Sequence, residues 1–270
     1  MSGAGIARLR ELNSITEPKR RSEVVFVLPA YNEEAGIGGL LGAMEQVMVD
    51  SQLPWRVLVV NDGSKDRTAE ILRENIGRIP LTIVEHPKNT GLGSTIRDGL
   101  RIASESIRDE DVVVTMDADG THAPGLSPRM VSMIQEGYDL VIASRYQPGA
   151  RVIGLSWFRT LMSVGASWVF RIALPIPGVK DYTCGFRAYR GSALKAMHRE
   201  YGDRFVEMEG FHCMADILIK CGKRGFLCGE VPMILRYDLK GGASKMPVWT
   251  TVGQTLLLLL RRRFTASQPR

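Results

Sequence analysis

Short apolar runs alternate with amphipathic helical stretches along the first half of the chain, and this alternation constrains the fold more than any other feature. Four of the runs are rich in β-branched residues and typical of buried strands; they span 23–28, 56–60, 81–85 and 112–116. Helical patterns follow the first three, from about 35 to 50, from about 66 and after 93. Strands that alternate with helices in this way predict βαβ units and a mainly parallel sheet.

The second half of the chain is less regular. Its pattern predicts a strand at 139–143, a helix at 156–172, a strand followed by a helix within 188–197, a helix at 209–221 and a strand at 226–235. No linker or internal repeat divides the 270 residues, which are enough for one large domain. We therefore expect a single α/β domain with a Rossmann-like, mainly parallel central sheet flanked by helices.

Polar loops follow the four strands of the first half. Right-handed crossovers place every such loop at the carboxyl edge of a parallel sheet, where ligands of open α/β folds bind. The sequence therefore predicts one cleft lined by four motifs: Pro29-x-Tyr31-Asn32-Glu33, Asn61-Asp62-Gly63-Ser64, Gly91-Leu92-Gly93 and Asp117-Ala118-Asp119.

The last of these motifs puts two carboxylates, one residue apart, at the end of a buried strand. Such a pair suits Mg²⁺ or Mn²⁺ carrying a diphosphate, because these ions prefer one or two carboxylates together with phosphate oxygens and water. Taken alone, Asp117 and Asp119 fit a solvated acidic turn as well. The three other loops predicted at the same edge favour the metal site.

Other nucleotide-handling folds lack their signatures in this chain. A dinucleotide-binding Gly-x-Gly-x-x-Gly needs a third glycine, but Leu41 stands at that place after Gly36 and Gly38, and Ile96 after Gly91 and Gly93. A phosphate loop ending in Gly-Lys-Ser/Thr is absent, as is the Gly-rich activation motif of nucleotidyltransferases.

Charge and apolar runs limit the partners. The net charge of +6 is modest, and we expect no nucleic-acid partner. Three arginines at 261–263 follow five leucines at 256–260, a pattern that fits either an interfacial segment on anionic lipid or a core helix with a basic end. No run reaches the roughly 18 apolar residues that span a bilayer. The four cysteines lack zinc-like spacing, which predicts reduced, buried thiols in a cytosolic compartment.

The four motifs, in this order and each after a predicted strand, resemble those of the family 2 inverting glycosyltransferases, which have the GT-A fold. The resemblance extends to about residue 246, and its second half is similar to the dolichyl-phosphate mannose synthase branch. It implies a flexible N-terminus at 1–20 and a GT-A domain at 21–246, with a nucleotide-sugar half at about 21–125 and an acceptor half at about 126–246. An amphipathic segment at 247–270 follows, which is expected to associate with a membrane on the interfacial interpretation of its leucines and arginines.

Matching residues of this family hold the donor nucleotide sugar. The resemblance implies that role for Pro29, Tyr31, Glu33, Asp62, Lys88 and Asp117. It also implies a Mg²⁺ or Mn²⁺ ion bound by Asp117 and Asp119, with Thr121 in the place of the family's usual Gln or Ser. Asn61 departs from the usual Asp. We interpret His122 as a structural neighbour, because imidazole is a poor ligand for Mg²⁺.

In the polyprenyl-phosphate branch, matching residues of the second half bind the acceptor phosphate. Carried onto this chain they are Arg145, Arg159, Ser163, Arg236 and Lys245, the last within a Gly-rich segment at 241–245. Arg159 and Ser163 are four residues apart and so share one face of a predicted helix. Asp119, Arg145 and Arg159 are the expected catalytic residues.

The resemblance implies metal-dependent, inverting transfer of a single hexose, mannose or glucose, from a GDP- or UDP-linked sugar to a polyprenyl or dolichyl phosphate. The acceptor phosphate is largely dianionic at neutral pH and needs no general base. The Gln-x-x-Arg-Trp motif of processive synthases is absent, which favours transfer of one sugar. The implied location is cytoplasmic, peripheral on the membrane surface. A soluble family 2 enzyme that acts on a sugar or glycan is the alternative.

Overall fold

The computed structural model describes residues 21–154, 157–210 and 212–239. Within these ranges the chain forms nine strands: β1 (Val24–Ala30), β2 (Trp55–Asn61), β3 (Leu81–Glu85), β4 (Val112–Thr115), β5 (Leu140–Ser144), β6 (Arg151–Ile153), β7 (Arg187–Arg190), β8 (Cys228–Pro232) and β9 (Ile234–Arg236). Seven α-helices of the same ranges are α1 (Ile37–Ser51), α2 (Thr68–Glu74), α3 (Leu92–Ser106), α4 (Ser127–Glu136), α5 (Trp157–Ala173), α6 (Gly191–Tyr201) and α7 (His212–Lys223). Short 3₁₀ turns lie at Pro124–Leu126, Gly202–Phe205 and Tyr237–Leu239.

Seven of the described strands form one sheet in the order β3-β2-β1-β4-β7-β5-β8. Every neighbouring pair is parallel except the two that involve β7, which runs antiparallel to β4 and β5. Strands β6 and β9 pair in parallel as a separate sheet. The predicted α/β class with a mainly parallel central sheet flanked by helices is confirmed.

The strand register aligns the carboxyl ends of the parallel strands. Ala30 of β1 pairs with Asn61 of β2, and Asn61 pairs with Glu85 of β3. Because β7 runs in the opposite direction, its first residue, Arg187, pairs with Thr115 at the end of β4. The loops after β1, β2, β3 and β4 and the segment before β7 therefore meet at one edge of the sheet.

Helix α3 lies directly on the centre of the sheet. Its buried positions include Ile96, Gly99, Leu100 and Ala103, the spacing of one helix face. A Cβ added at Gly99 would lie 2.5 Å from Cγ1 of Val27, so only glycine permits this approach to β1. The close packing holds the start of α3, with its Gly91-Leu92-Gly93 motif, at the carboxyl edge.

The single strand predicted at 226–235 is wrong, because the chain forms two strands there, in different sheets. Pro232, which has no N–H, pairs with Ser144 at the end of the β5–β8 ladder. The N–H of Met233 then donates to the Ser144 carbonyl at 3.1 Å, and the Met233 carbonyl accepts the Arg151 N–H at 3.0 Å. The chain thus leaves β5 and continues as β9 beside β6.

Helix α4 is absent from the sequence prediction, although two signals for it are present. Pro128 lies in its first turn, where the missing N–H costs no hydrogen bond. Met130, Val131 and Ile134 are buried at helical spacing. The other predicted elements match the described ones to within a few residues.

Two expectations from composition concern the thiols and the membrane. All four cysteines are free and buried, as predicted. Burial raises the pKa of the Cys184 and Cys213 thiols to about 12, which keeps them protonated at neutral pH. Of the helices within the described ranges, none combines the length and the apolar character that a membrane crossing needs.

Candidate active site

The loop after β4 carries the two predicted metal-binding carboxylates. Asp119 is buried, and its Oδ1 accepts hydrogen bonds from the Thr121 N–H at 3.0 Å and the Thr121 hydroxyl at 2.6 Å. Gly120 between them has a φ of 76°, a left-handed conformation that glycine adopts without strain. Thr121 therefore orients the Asp119 carboxylate.

Asp117 is the more exposed carboxylate of the pair, with 40% of its side chain accessible. Gly185, just before β7, lies against it, since a Cβ there would be 2.9 Å from Asp117 Oδ1. The Asp117 N–H donates to Nδ1 of the buried His122 at 3.1 Å, and the His122 ring stacks on Phe186 with centroids 5.3 Å apart. His122 thus supports the backbone of the loop, in agreement with its interpretation as a structural neighbour.

The donor atoms of this loop fit Mg²⁺ or Mn²⁺. Asp117, Asp119 and Thr121 offer carboxylate and hydroxyl oxygens, which these hard cations prefer. Asp119 already has its orientation set by Thr121, and Asp117 is open enough to solvent to share an ion with a phosphate. Two carboxylates leave coordination positions for diphosphate oxygens and water.

Asp62, the acidic residue after β2, is held through both of its oxygens. Its Oδ1 accepts hydrogen bonds from the Thr90 N–H (2.9 Å) and hydroxyl (2.7 Å), and His86 Nδ1 lies 2.8 Å from the same atom. Its Oδ2 accepts the Gly91 N–H at 2.9 Å. Burial alone would raise the pKa of Asp62, but the hydrogen bonds from His86, Thr90 and Gly91 together lower it below its ordinary value. An ionised carboxylate therefore joins the second and third loops.

This lowered pKa makes part of the stability acid-sensitive. The hydrogen bonds of ionised Asp62 should stabilise the fold fully above the ordinary pKa of 3.8, and that contribution should be lost as the pH falls through the lower pKa of the folded state. We predict that Asp62→Asn lowers the free energy of unfolding at pH 7 by about 1–2 kcal/mol. The difference from the unmodified protein should shrink below about pH 4.

Urea unfolding of both proteins between pH 7 and pH 3 measures this difference. Asp109→Asn serves as the control, because the Asp109 side chain is 72% exposed and its carboxylate pairs with Lys195 on the surface. It should show no comparable pH-dependent difference. A difference for Asp62→Asn that stays constant down to pH 3 would contradict the assignment of the lowered pKa.

Asn61, which stands where the family usually has Asp, faces another acidic residue. Its Nδ2 donates to Glu85 Oε2 at 2.6 Å, and its Oδ1 accepts the Ser64 N–H at 3.3 Å. Aspartate here would put two carboxylates in contact, which is unfavourable. The amide therefore joins β2 to β3 and leaves Asp62 as the acidic group of this motif.

The loop after β1 is tied to the loop after β2. The Asn32 N–H donates to Ser64 Oγ at 3.0 Å, and the Glu33 N–H donates to Thr68 Oγ1 at 2.8 Å. Asn32 has a φ of 53°, and its side-chain Oδ1 accepts the Lys65 N–H at 2.8 Å. Tyr31 and Glu33 are both half-buried at this edge, so the predicted donor residues of the first motif stand beside Asp62.

Pro29 lies within β1 and not in the loop that the sequence predicts for it. It pairs with Val60 of β2, two residues beyond the last β1–β4 pair, Val27 with Thr115. The carbonyl of Val27 accepts a hydrogen bond from the chain that continues β4. Pro29 is two residues later, so its backbone groups face the same side of β1 as those of Val27. The N–H that proline lacks would therefore point past the end of β4, so no ladder hydrogen bond is lost.

Close backbone contacts join the motifs into one site. A Cβ at Gly36 would lie 2.8 Å from the carbonyl oxygen of Asp119, and one at Gly63 would lie 2.6 Å from the carbonyl carbon of Lys88. Lys88 itself is exposed, next to the Asp62 loop. At the start of α3, Gly93 lies against the backbone of Met208. The predicted convergence of the four loops at one edge is confirmed.

Arg145, the first predicted acceptor residue, follows β5 and is bound by a buried carboxylate. Its Nε and Nη2 donate to Asp181 at 2.8 and 2.7 Å, and Nη2 also donates to Thr183 Oγ1 at 2.7 Å. Asp181 was not among the predicted site residues. No local motif marks it, since it lies 36 residues from Arg145 in the chain.

Arg236, at the end of β9, contacts the loop after β4 through its backbone. Its N–H donates to the Thr121 carbonyl at 3.1 Å. Its guanidinium pairs with Asp238 at 2.7 Å and remains 43% exposed. The structure thus brings the Arg236 backbone to the loop that carries Asp119, while the Arg236 side chain is paired with Asp238.

The remaining predicted residues lie partly or wholly outside the described part of the chain. Arg159 and Ser163 are on α5, four residues apart, but their side chains are not described. Lys245, the segment 241–245, the N-terminus 1–20 and the segment 247–270 lie outside the described residues. Their predicted roles stay predictions.

The sequence from 25 to 197 matches the model of "Glycosyl transferase family 2". The chain is 34% identical over 240 residues to the dolichol-phosphate mannosyltransferase of Pyrococcus furiosus, covering 88% of this chain and 62% of that protein. It is 32% identical to the undecaprenyl-phosphate mannosyltransferase of Micrococcus luteus, covering 83% and 87%. The chain thus spans less than two thirds of the Pyrococcus relative and most of the Micrococcus one.

The fold is similar to that of glucosyl-3-phosphoglycerate synthase from Mycobacterium tuberculosis, crystallised with Mn²⁺, uridine diphosphate and phosphoglyceric acid. The TM-score is 0.63 at 19% identity, and the match covers 92% of this chain and 80% of that one. At this identity the likeness concerns the fold. It adds that a protein with this fold was crystallised with a divalent cation and a nucleoside diphosphate.

Proposed function

The chain belongs to glycosyl transferase family 2, and we propose that this glycosyltransferase moves one hexose, mannose or glucose, from a GDP- or UDP-linked donor to a polyprenyl or dolichyl phosphate. The observation that carries the proposal is the convergence of Asp62 and the Asp117–Asp119 pair at one sheet edge, with Arg145 and Arg236 beside them. The two mannosyltransferase relatives act, by their names, on lipid phosphates, which supports the acceptor class.

On this proposal the donor nucleotide lies against the first and second loops. Tyr31 offers an aromatic face for stacking, and Glu33 and Asp62 offer carboxylates to N–H or hydroxyl donors of the base and ribose. Pro29 shapes the end of β1 beneath them. Lys88 lies where the third loop approaches Gly63 and supplies a cation for the diphosphate. Each of these groups lies at the carboxyl edge of the sheet, which supports its proposed role.

Asp117 and Asp119, with Thr121, would hold Mg²⁺ or Mn²⁺ together with the donor diphosphate. Such an ion, when bound, neutralises charge that develops on the departing nucleoside diphosphate. The chain's own contribution is orientation. Thr121 fixes Asp119 through two hydrogen bonds, and His122 fixes the backbone of Asp117.

The acceptor phosphate attacks the anomeric carbon from the face opposite the leaving diphosphate, which inverts the configuration. It is already anionic and needs no base. Its binding is assigned to Arg145, Arg159, Ser163, Arg236 and Lys245, whose donors suit phosphate oxygens. Cations are needed because two phosphate groups must approach each other.

We place the enzyme on the cytoplasmic face of a membrane, where a polyprenyl phosphate is available. Trp168 and Ile172 on α5 are 54% and 76% exposed, and the Arg171 guanidinium lies 4.7 Å from the centroid of the Trp168 ring. Exposed apolar and aromatic groups with a neighbouring cation suit the boundary between headgroups and acyl chains. This patch supports a peripheral membrane position.

A transfer assay tests the proposal. Purified protein is incubated with radiolabelled GDP-mannose, GDP-glucose, UDP-mannose or UDP-glucose, with polyprenyl phosphate in detergent, and with Mn²⁺, Mg²⁺ or EDTA. We expect label in the organic phase from one donor, only with metal, and released by mild acid as a single sugar. Label transferred to soluble sugars, with none in the lipid phase, would instead support the soluble glycosyltransferase.

A further inference from the structure

Asp181, in the segment before β7, is a fully buried carboxylate with an unusual number of donors. Its Oδ2 accepts the N–H of Arg145 at 3.0 Å and Nε of Arg145 at 2.8 Å. Its Oδ1 accepts Nη2 of Arg145 at 2.7 Å and the N–H groups of Thr183 at 3.3 Å and Cys184 at 3.1 Å. Five hydrogen bonds therefore hold the carboxylate, and two of them, from Nε and Nη2, fix the Arg145 guanidinium against it.

The donors of Arg145 can be counted. A guanidinium carries five N–H groups. Nε uses its one on Asp181, and Nη2 uses its two on Asp181 and on Thr183 Oγ1. The Nε–Nη2 edge, through which arginine often binds carboxylate or phosphate with two hydrogen bonds, is thus already bonded to Asp181 and Thr183. Among the described residues no acceptor bonds to Nη1, so its two hydrogens remain for a ligand.

The charges of Asp181 and Arg145 also favour this arrangement of the pair. Burial alone would raise the pKa of Asp181, but the adjacent Arg145 charge and its hydrogen bonds lower the pKa below the ordinary value. Asp181 is consequently ionised at neutral pH and compensates Arg145. A second carboxylate fixes the backbone of this segment, because Glu230 on β8 accepts the N–H groups of Lys180 and Asp181, both at 2.6 Å.

The segment that carries Asp181 also contacts the loop after β4, which carries the proposed metal ligands. Four residues after Asp181, Gly185 lies against the carboxylate of Asp117. The Gly185 carbonyl accepts the Thr115 hydroxyl at 2.7 Å, which ties the segment to the end of β4. Residues 181–185 therefore connect Arg145 to the proposed diphosphate site through a short, hydrogen-bonded stretch.

We propose that Asp181 is a positioning residue for the acceptor phosphate: it holds Arg145 by the Nε–Nη2 edge, so that the phosphate meets only Nη1. The proposal rests on the acceptor role of Arg145 in the proposed function. A merely structural Asp181 would affect folding without a selective effect on the acceptor.

Steady-state kinetics with both substrates test the proposal. Asp181→Asn should raise the KM for polyprenyl phosphate about tenfold, the loss expected for one charged hydrogen bond, while the KM for the donor changes less than about twofold. Thr183→Val, which removes only the second acceptor of Nη2 and keeps the charges, should raise the acceptor KM about threefold. Thr183→Val is expected to fold normally even if Asp181→Asn, which changes a buried charge, does not.

Two controls separate positioning from stability. Asp111 binds Arg108 in the same way, through Nη2 at 2.7 Å and Nε at 3.3 Å, but it precedes β4 at the opposite edge of the sheet. Asp111→Asn should lower the melting temperature and leave both KM values unchanged. In an Arg145→Gln background, Asp181→Asn should add no further rise in acceptor KM, because Asp181 acts through Arg145.

The outcomes are distinguishable. An unmodified protein that transfers no sugar to polyprenyl phosphate would refute the proposed function itself. An active protein whose folded Asp181→Asn and Thr183→Val variants keep the original acceptor KM would refute only the positioning role. Equal rises in the donor and acceptor KM values, or additive effects of Asp181→Asn and Arg145→Gln, would also overturn it.

Discussion

Asp119→Asn should reduce sugar transfer about a thousandfold, since the proposed function makes Asp119 a metal ligand whose loss removes several kcal/mol of stabilisation from the departing diphosphate. The fold should survive. Asparagine has nearly the same shape, and its Oδ1 can still accept the two hydrogen bonds that Thr121 donates. The predicted effect is therefore on chemistry and on metal affinity, not on stability.

Two measurements check this prediction. Turnover is compared at saturating donor and acceptor, and Mn²⁺ binding in the presence of a nucleoside diphosphate is followed by titration calorimetry. Thr121→Val provides a graded comparison, because it keeps both carboxylates but removes the hydroxyl that orients Asp119; we expect a loss of about tenfold. Undiminished turnover in Asp119→Asn would rule out the proposed role of Asp119 as a metal ligand.

Of the variants considered, Arg187→Met should lower the free energy of unfolding the most. Arg187 is fully buried at the start of β7 and donates to three carbonyls, those of Cys184 (2.9 Å), Met214 (2.6 Å) and Tyr182 (2.8 Å). Methionine has a similar length but no donor, so three buried carbonyls would each lose the hydrogen bond that Arg187 donates. At about 1 kcal/mol or more for each, the free energy of unfolding should fall by at least about 3 kcal/mol.

For a chain of this size, that loss corresponds to a melting temperature about 10 °C lower, measurable by calorimetry or circular dichroism. Arg190→Met is the matched control on the same strand. Arg190 donates to the carbonyls of Tyr138 and Ile134, but its side chain is 26% exposed, so water can replace part of these bonds. Its loss should be less than half that of Arg187→Met. Equal falls in the free energy of unfolding for the two variants would show that burial of the arginine does not determine the size of the effect.

The strands of the first half could be predicted because their signal is local. Each is a short β-branched run, and polar residues begin where the sheet ends. Where the prediction was wrong, the deciding contact is distant. Pro232 and Met233 lie within an apolar run, and only the pairing of Met233 with Ser144 and Arg151 divides that run into β8 and β9.

The candidate site also has features that follow from local sequence and features that depend on distant contacts. The sequence by itself determined the α/β class, the four loops and the candidate groups Asp62, Asp117 and Asp119, because periodicity and strand-end position are properties of neighbouring residues. Only the tertiary structure decided which oxygens and donors remain for a ligand. Asp181 occupies one edge of Arg145, and Thr90 and Gly91 hold Asp62, across 28 or more residues of chain. Contacts at such separations depend on how strands are ordered in the sheet, which local patterns do not encode.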